Sequence, residues 1–234
     1  VSNLGLRPGD EIITVAYTFV ASVSAIVHNR GVPVFADIGD DCNMDVGKVE
    51  ELITDKTKAV MPVHMNGRIC DMNALQGICS NKGLAIVEDA AQVIGVMIDD
   101  RMAGSFGDFG VFSFHSHKNI TTLGEGGMLV VKDQQIAEII PMLLHNGHCG
   151  FNFEREQYWI PAMSNVDLPE LNGKSIWPSN YCLGEVECAL GVKLLDRIDQ
   201  INEEKRERAL HFIDAMTDFP ELEFHREDTE RHNY

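Results

Sequence analysis

Short apolar runs separated by stretches with helical spacing set the rhythm of the chain. The run Glu11-Ile12-Ile13-Thr14-Val15 is too short for a buried helix. It follows Arg7-Pro8-Gly9-Asp10, a turn in which proline presets φ and glycine supplies freedom. Helical spacing covers 19–29, with Thr18 placed to cap its start and Gly31 to end it. Apolar strands are predicted at 32–37, 59–64 and 84–88, with helices over 45–53 and 72–81, the latter closed by Gly83. Strands at 110–114 and 128–131 flank a glycine-rich loop, and a helix follows over 134–144. Residues 148–180, with Asn, Pro, Trp and Gly, show no period and read as a long loop or arm; helical spacing resumes from 184 to 216.

Strands alternating with helices predict βαβ units and hence an α/β fold, a three-layer sandwich with a mostly parallel central sheet. The expected division is a large domain over 1–183, arm included, and connecting helices that begin a smaller domain over 184–234. The start at Val1 and the polar run 226–234 suggest a chain truncated at both ends. Open parallel sheets bind ligands beyond the carboxyl ends of their strands, which directs attention to the loops after Val15, Asp37, His64, Glu88 and Phe114.

Composition narrows the class of partner. With 234 residues, 44% hydrophobic and 24% charged, the chain can bury a sizeable core. Nineteen Lys and Arg against 36 Asp and Glu leave a net charge of −17, which repels nucleic-acid phosphates and anionic lipid. An anionic substrate would need a local cluster of donors. The six cysteines show no CxxC pair and read as reduced thiols of a cytoplasmic protein without a metal site. No apolar run approaches the ~20 residues that span a bilayer, and no charged-then-apolar signal opens the chain.

Two loops are chemically unusual. Asp89-Ala90-Ala91-Gln92 ends an apolar strand with a carboxylate, two small residues that admit a flat group, and an amide three positions on. Ser113-Phe114-His115-Ser116-His117-Lys118-Asn119 places a lysine between an apolar strand and the turn Gly124-Glu125-Gly126-Gly127. A partly desolvated lysine is a nucleophile toward aldehydes. A helix cap and a solvated surface lysine are the plain alternatives for Asp89 and Lys118.

The ordered set of Asp89-Ala90-Ala91-Gln92, Gly104-Ser105-Phe106-Gly107-Asp108, Ser113-Phe114, Lys118-Asn119 and Gly124-Glu125-Gly126-Gly127 resembles the DegT/StrS family of sugar aminotransferases. The resemblance extends from about residue 4 to 210 and includes Pro8-Gly9-Asp10-Glu11, Tyr17-Thr18-Phe19-Val20-Ala21, Pro62-Val63-His64 and Asn180-Tyr181. It implies an aspartate-aminotransferase-type fold, a homodimer with active sites at the subunit interface, and pyridoxal 5'-phosphate as cofactor. It also implies roles: Lys118 carries the cofactor as a Schiff base and shuttles a proton, and Asp89 keeps the pyridine nitrogen protonated. Gln92 bonds the phenolic oxygen, Ser113 the phosphate, Phe19 stacks on the ring, and Asn180 reaches the partner subunit's cofactor phosphate. Core packing is the plain reading of Phe19, and solvent-exposed polarity that of His115 and His117.

The sequence departs from the family pattern at Cys182, where an arginine commonly follows the Asn-Tyr pair, and the phosphate-binding Gly-Thr turn expected upstream of Val1 is missing. The reaction implied is transfer of an amino group from glutamate or glutamine to a keto group of a nucleotide-linked sugar. One alternative is a deoxysugar dehydratase, disfavoured because those relatives hold histidine where this chain has Lys118. Another is a non-catalytic regulatory relative. A dinucleotide fold is set aside because no GxGxxG follows the first strand.

Overall fold

The computed structural model describes residues 4–146, 170–171, 174–224 and 232. The chain forms two compact units: residues 1–130 with 185–234, and residues 131–184.

The first unit is built on a six-stranded sheet of order β2-β1-β3-β4-β7-β8. Its strands are β1 (Glu11–Val15), β2 (Val32–Ala36), β3 (Thr57–Val60), β4 (Ala85–Asp89), β7 (Phe109–Ser113) and β8 (Gly127–Val131). The pairings β1–β2, β1–β3, β3–β4 and β4–β7 are parallel, in line with the predicted α/β class. Helix α1 (Val20–His28) carries the chain from β1 outward to β2, whereas α2 (Val46–Val49) and α3 (Met72–Lys82) carry it the other way. Right-handed crossovers in opposite directions put these helices on opposite faces, which makes the layers of the sandwich. Ile12, Ile13, Val15, Val60, Ile86 and Val87 bury their side chains between them. The edge strand β2 holds Pro33, tolerated because only one side of that strand must supply ladder donors.

Several local expectations are corrected. Thr18 does not cap α1: the N-cap is Phe19, with no side-chain cap bond, and the Thr18 hydroxyl lies 2.9 Å from Ser22 Oγ. Gly31 is not the left-handed stop, since Arg30 takes φ 63° and Asn29 is the C-cap. A β-carbon at Gly31 would instead press on the Ile26 and Leu6 side chains at 3.0 Å. The helix expected over 45–53 is one α-turn, α2, continued by a 3-10 turn at Glu50–Leu52. Gly83 does close α3, with φ 66°. A small hairpin, β5 (Met97–Ile98) and β6 (Arg101–Met102), went unpredicted. Its turn residues Asp99 and Asp100 both have positive φ, a task more often signalled by Asn-Gly.

The single helical stretch expected over 184–216 is two helices, α5 (Glu185–Leu195) and α6 (Ile198–Ala215). In the second unit, α4 (Gln134–Leu144) is capped by Asp133, whose carboxylate accepts from the Ile136 amide at 2.9 Å. A short antiparallel ladder of β9 (Glu170–Leu171) and β10 (Lys174–Ser175) falls within the arm expected over 148–180. Most of that arm, and the polar run 226–234 apart from His232, lie outside the described residues.

Candidate active site

The carboxyl ends of β4 and β7 carry the chemistry. Their register pairs Glu88 with Gly110 and Asp89 with Val111. Side chains alternate along a strand, so Asp89, Val111 and Ser113 share one face of the sheet while Glu88 and Gly110 face the other. Ser113 thus lies on the strand beside Asp89, about 7 Å further along at the usual rise per residue.

Glu88 explains why the strand end is held so firmly. It is fully buried, and three N–H donors aim at its two oxygens, as a carboxylate requires. They are Gly104 N at 2.8 Å, Gly107 N at 2.5 Å and His64 Nε2 at 3.0 Å. His64 Nδ1 accepts from the Cys70 amide at 3.2 Å, so its ring proton belongs on Nε2, where it is donated to Glu88. The Gly104-to-Asp108 segment is therefore a clamp. A β-carbon on Gly104 would strike the Phe112 ring at 2.4 Å, and one on Gly107 the Ile86 carbonyl at 2.7 Å. Asp108 closes the clamp by accepting from the Ile86 amide at 2.9 Å.

Asp89, held by this strand end, is half-buried. Its Oδ1 accepts from the Ala91 amide at 3.2 Å and its Oδ2 from the Ser22 hydroxyl at 2.6 Å. Each oxygen retains a lone pair for a further donor. Ala90 is fully buried and adds no bulk beside it. Gln92 Oε1 accepts from the Asn66 amide at 3.0 Å, which fixes the orientation of its amide group; among the described residues its Nε2 meets only the Met65 sulfur, a weak acceptor, at 3.5 Å. That NH2 keeps capacity to donate to an oxygen.

Lys118 sits in the loop between β7 and β8. The loop is tied to itself by Phe114 N to Gly126 O at 2.8 Å, Ser116 N to Gly124 O at 2.8 Å and Lys118 N to His115 O at 2.9 Å. Asn119 anchors it to α6, donating to Asn202 Oδ1 at 2.9 Å, while buried Asn202 donates to Ile94 O at 2.9 Å. The Lys118 amine is half-buried and has no hydrogen-bond or ion-pair partner among the described residues. Ser113 Oγ accepts from the His115 amide at 3.3 Å, which leaves its own proton to donate. His115 Nε2 lies 3.6 Å from Glu125, and its ring meets that of His117 edge-on at 5.0 Å.

The structure thus brings Asp89, Gln92, Ser113 and Lys118 to the ends of two adjacent strands. Phe19 is the N-cap of α1, whose first turn touches Asp89 through Ser22, and the residue stands 71% exposed, which no core residue would. Asn180 belongs to the other compact unit. It is exposed there, with its Oδ1 accepting from the Cys182 amide at 3.4 Å. Sequence reasoning missed Ser22, His64, Glu88 and Asn202. An acid inside the apolar run 84–88 was a signal for Glu88; nothing in the charged stretch around Asn202 marked it.

An amine without a partner among the described residues, an oriented amide, a hydroxyl with an unspent proton and a carboxylate with room for a donor suit a phosphorylated, aldehyde-bearing aromatic ring. The chain belongs to the DegT/DnrJ/EryC1/StrS aminotransferase family, whose profile matches residues 1–234. It is 36% identical over 219 residues to the spore coat polysaccharide biosynthesis protein SpsC of Bacillus subtilis, covering 93% of this chain and 54% of that protein. It is 35% identical over 228 residues to the GDP-perosamine synthase of Vibrio cholerae, covering 97% and 57%. Among solved structures, NtdA of Bacillus subtilis with its cofactor PMP bound superposes with a TM-score of 0.78 at 26% identity, covering 99% of this chain and 49% of that one. The chain spans about half the length of the curated relatives it matches.

Proposed function

We propose that the protein is a pyridoxal-phosphate-dependent aminotransferase that moves an amino group from glutamate or glutamine to a keto group of a nucleotide-linked sugar. The observation that carries this reading is the amine of Lys118, without a partner among the described residues, on the loop leaving β7 beside the strand that ends in Asp89. Family membership, a relative named for a GDP-linked sugar and a neighbour holding PMP, the aminated form of the same cofactor, support it.

Pyridoxal phosphate, when bound, supplies an aldehyde and a ring that draws electrons from the carbon undergoing transfer. The chain's own residues do the rest. Lys118 attaches the group covalently and afterwards serves as the base and acid that moves a proton at the reacting carbon. Asp89 holds the proton at the ring nitrogen, which keeps the ring electron-poor. Gln92 donates to the phenolic oxygen, Ser113 to the phosphate, and Phe19 covers a face of the ring. Exposure of Phe19 and Asn180 suits a homodimer in which a second copy completes the site. Lys118 also favours transamination over dehydration, which replaces that lysine by histidine.

The test is transfer of 15N from labelled glutamate or glutamine to a panel of nucleotide-linked keto sugars, read by mass spectrometry. A labelled amino sugar from at least one pairing is expected. No transfer from either donor by protein loaded with pyridoxal phosphate would contradict the proposal.

A further inference from the structure

We propose that Ser22 is a positioning residue for Asp89: its hydroxyl, oriented by Thr18, holds the carboxylate in the rotamer that faces the cofactor's ring nitrogen. The inference rests on the reading of the site given above and adds to it a residue outside the motifs on which that reading was built.

The geometry is that of a one-way relay. Ser22 is 5% exposed, and a buried hydroxyl needs a partner for its proton. Asp89 Oδ2, an acceptor, lies 2.6 Å away, within the range of a charge-assisted O–H to carboxylate bond. The single proton of Ser22 is spent there. The contact of 2.9 Å between Thr18 Oγ1 and Ser22 Oγ must then run the other way, with Thr18 donating. Thr18 and Ser22 are four residues apart and meet across the first turn of α1.

The consequence is orientation. The other hold on Asp89, the Ala91 amide, is a local bond two residues along the chain at 3.2 Å and leaves the carboxylate free to pivot. Ser22 comes from a helix 67 residues away in sequence and removes that freedom. A terminal Asp torsion is broad and roughly two-fold, so without Ser22 the carboxylate plane is poorly defined. A carboxylate turned out of line holds the ring proton less well. A ring that loses its proton withdraws less charge from the lysine-bound nitrogen, which then keeps its own proton to higher pH.

The experiment compares wild type, Ser22→Ala and Thr18→Val by titrating the visible absorbance of the protein–pyridoxal phosphate adduct against pH. The dissociation constant of the cofactor and the thermal midpoint of the apoprotein are measured beside it. Loss of a hydrogen bond to a charged group is expected to weaken cofactor binding by roughly tenfold or more in Ser22→Ala. The midpoint of its absorbance titration is expected to move to higher pH. Thr18→Val, which keeps its shape at a half-buried position, should shift both in the same direction by less. If Ser22→Ala does not fold, Thr18→Val decides alone. Wild-type affinity and an unmoved midpoint in Ser22→Ala, with only the thermal midpoint lowered, would mean that the bond merely ties α1 to the sheet and would overturn the inference. Wild-type protein that forms no adduct at all would instead overturn the reading of the site.

Discussion

At the scale of single residues, Lys118 and Asp89 differ from the cysteines in whether a substitution should change chemistry or packing. Lys118→Ala is expected to abolish amino transfer while leaving far-UV circular dichroism and the thermal midpoint unchanged, because the amine has no partner among the described residues. Substantial remaining activity would contradict its role. On the proposed reading, Asp89→Asn would put a neutral amide where a carboxylate holds the ring proton, and turnover should fall by ~10²–10³, the range for a lost electrostatic group. The cysteines offer an independent check on burial. Burial, reinforced by Asp41 and Asp71, pushes the Cys70 thiol up to about 12, and burial with Asp108 nearby pushes Cys79 up to about 11. Alkylation at pH 8 should label exposed Cys182 and Cys188 and spare Cys70 and Cys79 until the protein is unfolded. A raised thiol contributes stability that is intact below its ordinary value of 9.0 and lost as the pH climbs toward 12. Cys70→Ala should flatten the fall of the thermal midpoint across that window.

At the scale of elements, the end of β4 is the part whose rigidity matters most. Glu88→Gln would turn an NH2 toward groups that are themselves donors, leaving at least one buried N–H without an acceptor. A loss of ~1–3 kcal/mol in urea-induced unfolding is expected; an unchanged midpoint would mean the Gly104-to-Asp108 clamp does not depend on the carboxylate. Asn202→Leu should likewise loosen the Lys118 loop from α6. Much of this architecture was legible in advance. Apolar runs marked β1 and β4 because strands inside a parallel sheet are covered on both faces, and marked β2 and β7 as well although Val32, Phe35 and Val111 stand exposed. What the pattern missed has physical causes. Helix ends depend on backbone torsions, as at Arg30, where a non-glycine residue takes the left-handed position. The break between α5 and α6 falls at Asp196-Arg197, which carries neither proline nor glycine to announce it. Long-range side-chain bonds such as Ser22 to Asp89 leave no trace in local spacing.

At the scale of the whole molecule, motifs at separate points of the chain become one site only because β4 and β7 are neighbours. Asp89 and Gln92, and then Ser113 and Lys118, are recognisable in the sequence as two loops; the sheet order makes them adjacent. With a net charge of −17, the anionic nucleotide-linked substrate proposed above would have to be drawn by local donors against the general field. Among the described residues no helix is long and apolar enough to cross a membrane. If a second copy completes the site, as proposed, sedimentation velocity of the cofactor-loaded protein should give a dimer of about twice the 26.0 kDa chain. The central claim is tested most directly by treating the protein with pyridoxal phosphate, reducing with borohydride, and mapping the modified peptide by mass spectrometry. The account predicts one pyridoxyl group, on Lys118; modification scattered over surface lysines, or none, would contradict it.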